Sequence, residues 1–244
     1  MSAKVRSKQS GNSGFIIALV AIVAAGGGFI VWKTQQPPPA MALVLPTMAD
    51  SVIAKQARGY TIGSPTATVE IIEFADYECP ACGNYATITE PDVRKNLVDA
   101  GIVRYTFYDF PLLNAHQNTV VASMAASCAS DQDKFWPMHD ALFTNQFEWS
   151  GVSTKNPRGV ITSYARQVGL DLSTWNACMD ANAHAKRIEA NYALGLTMQV
   201  GSTPTFFVNG KKLDRHDYDS IKLAVDSARA AMPAGTPAPV APTN

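Results

Sequence analysis

Two cysteines stand three residues apart in Cys79-Pro80-Ala81-Cys82, a spacing that puts both sulfurs on one face of a helix and lets them close a disulfide. Residues 68–74 just ahead read as a strand, and Pro80 suits a first helical position, so the Cys79 sulfur falls at a helix N-terminus. Free backbone N–H groups and the positive end of the helix dipole stabilise a thiolate there. The thiolate is the species that attacks and leaves in thiol-disulfide exchange. A Cys-x-x-Cys is also half of a zinc site. Cys128 and Cys178, however, form no second such pair and have no His at finger spacing, so no metal is expected. The chain has no Gly-x-Gly-x-x-Gly and no Walker sequence, and no cofactor is expected either.

Glu73 lies six residues before Cys79 in an otherwise apolar strand. It reads as a buried acid of raised pKa that accepts the Cys82 proton, or as a surface carboxylate; alternation puts Glu70 and Glu73 on opposite faces, one of them wet. The charge of Glu78, beside Cys79, is expected to raise the Cys79 pKa. His116, His139, His184 and His216 are scattered and read as cap or packing residues. Trp136, Phe143, Phe147 and Trp149 read as helical core or the lining of a substrate groove. Pro204 opens a strand, where it is free of ladder duty; the residues alone favour an ordinary trans Thr203-Pro204 bond.

These residues need a scaffold. A second strand is expected over 102–108, with helix between the two, Pro91 interrupting it and Gly101 ending it, which implies a parallel, right-handed crossover. Helical pattern follows over 120–129, 134–143, 158–168, 172–179 and 183–194. Then come a hairpin turning at Asn209-Gly210 and a closing helix over 217–231. The expected class is α/β: one domain over 59–232 with a helical insertion over about 114–198, and no internal repeat.

The ends differ in composition. Lys4, Arg6 and Lys8 precede an uncharged, mostly apolar run over 14–32, long enough to span a bilayer, with only Lys33 close behind. That bias places residues 1–13 in the cytoplasm and the remainder outside, as a single-pass cell-membrane protein. A cleaved signal peptide is the other reading of the same run. Residues 33–58, with four prolines, read as a linker in which a short helix over 50–57 can form. Residues 233–244 read as a disordered tail. All four cysteines then lie where disulfides persist. The net charge is zero with no block of like charges, which excludes a nucleic-acid footprint.

The chain resembles the DsbA-like thioredoxin-fold oxidoreductases over about residues 59–230. The resemblance is carried by Ile71-Ile72-Glu73-Phe74 with Tyr77-Glu78-Cys79-Pro80-Ala81-Cys82, and by Phe110-Pro111-Leu112 with His116. Lys134-Phe135-Trp136, His139-Asp140-Ala141-Leu142-Phe143 and the loop Gly201-Ser202-Thr203-Pro204-Thr205-Phe206-Phe207-Val208-Asn209-Gly210 extend it. It implies a thioredoxin fold, which the apolar run over 14–32 would precede as one N-terminal transmembrane helix, with Cys79 as the attacking sulfur and an acid at Glu73. It further implies a cis Pro204 facing the disulfide, with the Thr203 backbone offered to a substrate strand. The implied partners are exported proteins with thiols or disulfides and a membrane redox partner that recycles the pair. A pair such as Cys128–Cys178, bridging helices of the insertion, is implied too; two buried free thiols are the alternative. Two other functions stay open: a membrane-tethered binding module or chaperone with structural disulfides only, and a thiol-reducing electron carrier.

Overall fold

The computed structural model describes residues 17–23, 26–28, 43 and 45–231. The chain divides at residue 40 into two units. In the first, residues 17–23 and 26–28 are helical. Much of the anchor expected over 14–32 lies outside the described residues, as do segment 1–13, most of 33–44 and the tail 233–244. Among the described residues no helix is long and apolar enough to cross a membrane.

The second unit is built on a five-stranded sheet of order β1-β3-β2-β4-β5, with β1 at Tyr60–Gly63, β2 at Val69–Ala75, β3 at Val103–Asp109, β4 at Thr205–Val208 and β5 at Lys211–Lys212. β2 and β3 are parallel, Val69 opposite Val103 and Ala75 opposite Asp109. β4 lies antiparallel on the other side of β2, and β1 and β5 are antiparallel edges. β1 escapes the sequence reading: it has four residues and ends on Gly63 at φ 101°.

All seven residues of β2 are buried, as a central strand covered on both faces requires. The expectation that one of Glu70 and Glu73 faces water is therefore corrected. Glu70 is buried against Arg104, 3.1 Å away, on the face of Ile72 and Phe74.

On one face, Val69 and Ile71 pack with Tyr85, Val93 and Leu97 of α2, which spans 80–98, and with Ile221 and Val225 of α9, Tyr218–Ala230. α2 alternates α turns at Pro80–Asn84 and Glu90–Val93 with π turns at Tyr85–Thr89 and Arg94–Val98. Pro91 does not interrupt it. The Glu90 N–H donates to the Tyr85 carbonyl five residues back, and this wider turn shifts the carbonyls out of the register in which a proline ring clashes.

On the other face, Ile72, Phe74 and Phe207 meet Ala190, Ala193 and Leu194 of α8, Ala185–Thr197. Ala54, which ends α1 (Ser51–Ala54), and Ala57 are buried there too. The folded unit therefore begins before residue 59, and the linker expected over 33–58 is shorter; two alanines give no sequence signal of burial. The insertion is likewise shorter than 114–198, because α8 covers the sheet. What remains is α3 (Thr119–Ser130), α4 (Phe135–Thr144), α5 (Gln146–Trp149), α6 (Pro157–Gln167) and α7 (Leu172–Asp180) around Met138, Leu142, Trp149 and Trp175.

Candidate active site

β2 ends at Ala75, and four residues later Cys79 is the N-cap of α2, with extended backbone and Pro80 next. The turn is fixed by the Cys79 N–H, which donates to the Asp76 carbonyl at 3.1 Å. Asp76 is buried, and its carboxylate accepts from the N–H groups of Glu78 and Leu112 at 2.7 and 2.6 Å.

The two sulfurs are unbridged and unequal. Cys79 is 8% exposed and Cys82 is fully buried. The Cys79 thiol is lowered to about 5: the Cys82 thiol hydrogen-bonds its sulfur, as do the N–H groups of Cys82 and Ala81, and the stabilisation of the thiolate outweighs burial. Burial pushes the Cys82 thiol well up, and the neighbouring Cys79 and Glu73 push it further.

The loop before β4 brings Thr203 and Pro204 over the pair. The Thr203-Pro204 peptide is cis, and the Thr203 carbonyl lies 3.4 Å from Cys79 Sγ, positioned to accept from the thiol. From below, Glu73 points to the α2 face of the sheet, 1% exposed. Its Oε2 accepts from the Tyr105 hydroxyl at 2.5 Å, and its Oε1 is buried without a partner. Burial, then the charge of Glu90, hold this carboxyl well above the usual carboxylate range.

Glu78 does not act as its sequence position suggests. Its carboxylate is turned to the insertion, where it accepts from the Asn118 and Gly151 N–H groups at 2.6 and 2.5 Å. The expected upward push on Cys79 is therefore absent among the main influences on that thiol.

His116 is more than a packing residue. Its Nδ1 lies 2.8 Å from Asp76 Oδ2, and its pKa is raised first by that bond and also by the charge of Cys79. His139 is fully buried between the Tyr77 hydroxyl and Glu90. His184 bonds Asp131, and His216 stacks on Phe206. Phe143 and Trp149 are core, Trp136 lies under the Arg94 guanidinium, and Phe147 is exposed.

Gln146 also escapes the sequence reading. Its Nε2 donates to the carbonyls of Tyr77 and Cys79 at 2.7 and 2.9 Å, across 69 and 67 residues of chain, a separation no local pattern encodes. Within the insertion, Cys128 of α3 and Cys178 of α7 form a disulfide, their Cα atoms 5.8 Å apart.

A groove of about 390 Å³ opens beside Ala81, between Tyr85 and the exposed Ile88 of α2 and His216. A larger one, about 640 Å³, lies between the β4–β5 hairpin and α9 and holds neither cysteine.

A thioredoxin family model matches residues 55–227. The chain is 26% identical over 208 residues to a probable disulfide bond formation protein D of Bacillus cereus, covering 77% of this chain and 91% of that one. It superposes on the crystal structure of oxidised BdbD from Bacillus subtilis with a TM-score of 0.64 and 24% identity, covering 78% of this chain and 100% of that one. It is also 30% identical over 222 residues to the Na(+)/H(+) antiporter NhaA 1 of Salinispora arenicola, covering 86% of this chain and 32% of that one. The chain thus spans about a third of the length of that curated antiporter. With the family model covering well over half of its length, the chain belongs to the thioredoxin family.

Proposed function

We propose that this protein is an extracytoplasmic thiol-disulfide oxidoreductase that introduces disulfides into exported proteins through Cys79 and Cys82. The observation that carries the reading is the inequality of the two thiols, Cys79 lowered to about 5 and Cys82 pushed up and buried. In the oxidised enzyme, a substrate thiolate attacks the Cys79 sulfur. The Cys79–Cys82 bond breaks, a mixed disulfide forms, and Cys82 leaves and takes a proton from Glu73. A second substrate thiolate then attacks the substrate sulfur of the mixed disulfide, and Cys79 leaves as its stabilised thiolate. The substrate is oxidised by two electrons and the pair is reduced by two. A low thiol pKa makes Cys79 a good leaving group and stabilises the reduced enzyme, both of which favour donating the disulfide. Thr203 and Pro204 hold the substrate strand against the Cys79 sulfur.

The charge bias around residues 14–32 supports an anchor with the catalytic domain outside the cytoplasm, and the Cys128–Cys178 bond fits an oxidising compartment. A membrane redox partner would then reoxidise the pair. The test is oxidation of a dithiol peptide by the oxidised protein, wild type against Cys79→Ser, with the potential measured against glutathione. A value nearer about −120 mV than about −270 mV supports oxidation; one below about −270 mV makes the protein a reductant.

A further inference from the structure

We propose that Gln146, supplied by the insertion, is a positioning residue that holds the Cys79 turn in its exchange-competent form, and that Gly83 is glycine to admit it. The inference rests on the reading of Cys79 as the exchanging thiol.

One nitrogen makes both contacts. Gln146 Nε2 carries two hydrogens, and the carbonyls of Tyr77 and Cys79 take one each, at 2.7 and 2.9 Å. Those carbonyls belong to the turn that carries the thiolate, one on Cys79 itself and one two residues before it. A donor on each offsets its partial negative charge; without Gln146 the Tyr77 carbonyl loses that donor and the Cys79 carbonyl keeps only a helical one. The Cys79 carbonyl also accepts the Gly83 N–H at 3.0 Å, so the amide braces the first turn of α2 where it begins.

Gly83 is the counterpart. A Cβ placed on it would stand 2.7 Å from Gln146 Oε1, 3.0 Å from Cδ and 3.1 Å from Nε2. Any larger residue there must push the amide off its two carbonyls. Gly83 has an ordinary helical backbone inside α2, where alanine is otherwise preferred by about 1 kcal/mol. The glycine is thus explained by the amide it admits. The same segment holds Glu78 through the Gly151 N–H, so the insertion grips the turn on both sides of Cys79.

The experiment is a thiolate titration of Cys79 in the reduced full-length protein, followed by ultraviolet absorbance, for wild type, Gln146→Met, Gly83→Ala and the double variant. Gln146→Met keeps the side-chain length and removes the donor. Each single variant should move the Cys79 midpoint up by about one pH unit, a roughly tenfold loss of thiolate at a pH well below the midpoint. The double variant should match Gln146→Met alone, since both changes remove one contact. Gly83→Ala should lower the melting temperature of the wild type by more than it lowers that of the Gln146→Met protein, which has no amide contacts left to lose. A wild-type midpoint in either single variant, or shifts that add in the double, overturns the proposal. The titration needs no substrate, so a wild type that fails to oxidise a dithiol peptide counts against the function and leaves this result standing.

Discussion

Cys79 and Cys82 share one helix, whereas Cys128 and Cys178 are 50 residues apart on different helices, and the surroundings of the two pairs differ as much as their spacing. Around Cys79, the partner thiol and backbone N–H groups favour a negative sulfur, while the charge of Glu73 acts on Cys82. The second bond ties α3 to α7 beside the buried Trp175, and the Cys128 end of it is buried. The first pair spans almost no chain, so closing it restricts the unfolded state little, and its neighbours decide its chemistry. The second closes a long loop, so its main effect is on the unfolded state.

The sharpest break of that comparison is Cys79→Ser. Dithiol-peptide oxidation should fall to background while the melting temperature below about pH 5 stays close to that of the reduced wild type; residual turnover above background would return the exchange to another sulfur. The converse is Cys128→Ser with Cys178→Ser, which should cost roughly 4 kcal/mol by the loop-entropy model and leave exchange largely intact below the lowered melting temperature. Denaturant unfolding with an activity assay reads both, and loss of exchange without loss of stability would make the second pair an electron relay.

Next in size is Glu73→Gln. It should slow release of Cys82 from the mixed disulfide by about a hundredfold and flatten that step's pH profile, while alkylation of Cys79 stays fast. Stopped-flow tryptophan fluorescence from pH 4 to 8 would detect a profile unchanged by the substitution, which would remove Glu73 from the proton path.

The last effect depends on pH. Native Cys79 titrates near 5 and an unfolded thiol near about 8.5, so between those values the unfolded reduced chain binds more protons than the native one. The reduced form should gain stability over the oxidised form as pH rises through that window, and that gain should be gone below about 5. Above the unfolded value the raised Cys82 thiol works the other way, so the difference should peak near the ordinary thiol pKa. Paired guanidinium melts of the two redox forms check the sign.

Much of this site is legible in the chain because its signals are local. Cys79-Pro80-Ala81-Cys82 after a β-branched run places a nucleophile at a helix start, and β2 and β3 fall within a residue of the expected strands. The departures come where the deciding partner is distant. Glu78 looks like a charge beside Cys79 until Asn118 and Gly151 claim it. Gln146 and His116 acquire their roles only when the insertion and the 110–116 segment close over the turn. α8 follows the insertion helices in sequence and has their periodicity, yet its small residues Ala190 and Ala193 fit the sheet. Pro91 breaks an α register, and the π turn before it is no longer in that register.

If the protein acts on unfolded chains as proposed, the strand β5 carries a consequence. An incompletely oxidised client exposes strands seeking a sheet edge, and an open edge would recruit them away from the redox pair. At this edge the sheet offers two residues, both exposed lysines, on which a client finds too short a ladder and two charges to displace. On the proposed function, that brevity separates catalysis from adhesion: clients meet the protein at Thr203 beside the sulfur, and a chain that has received its disulfide has nothing along the outer edge to keep it there.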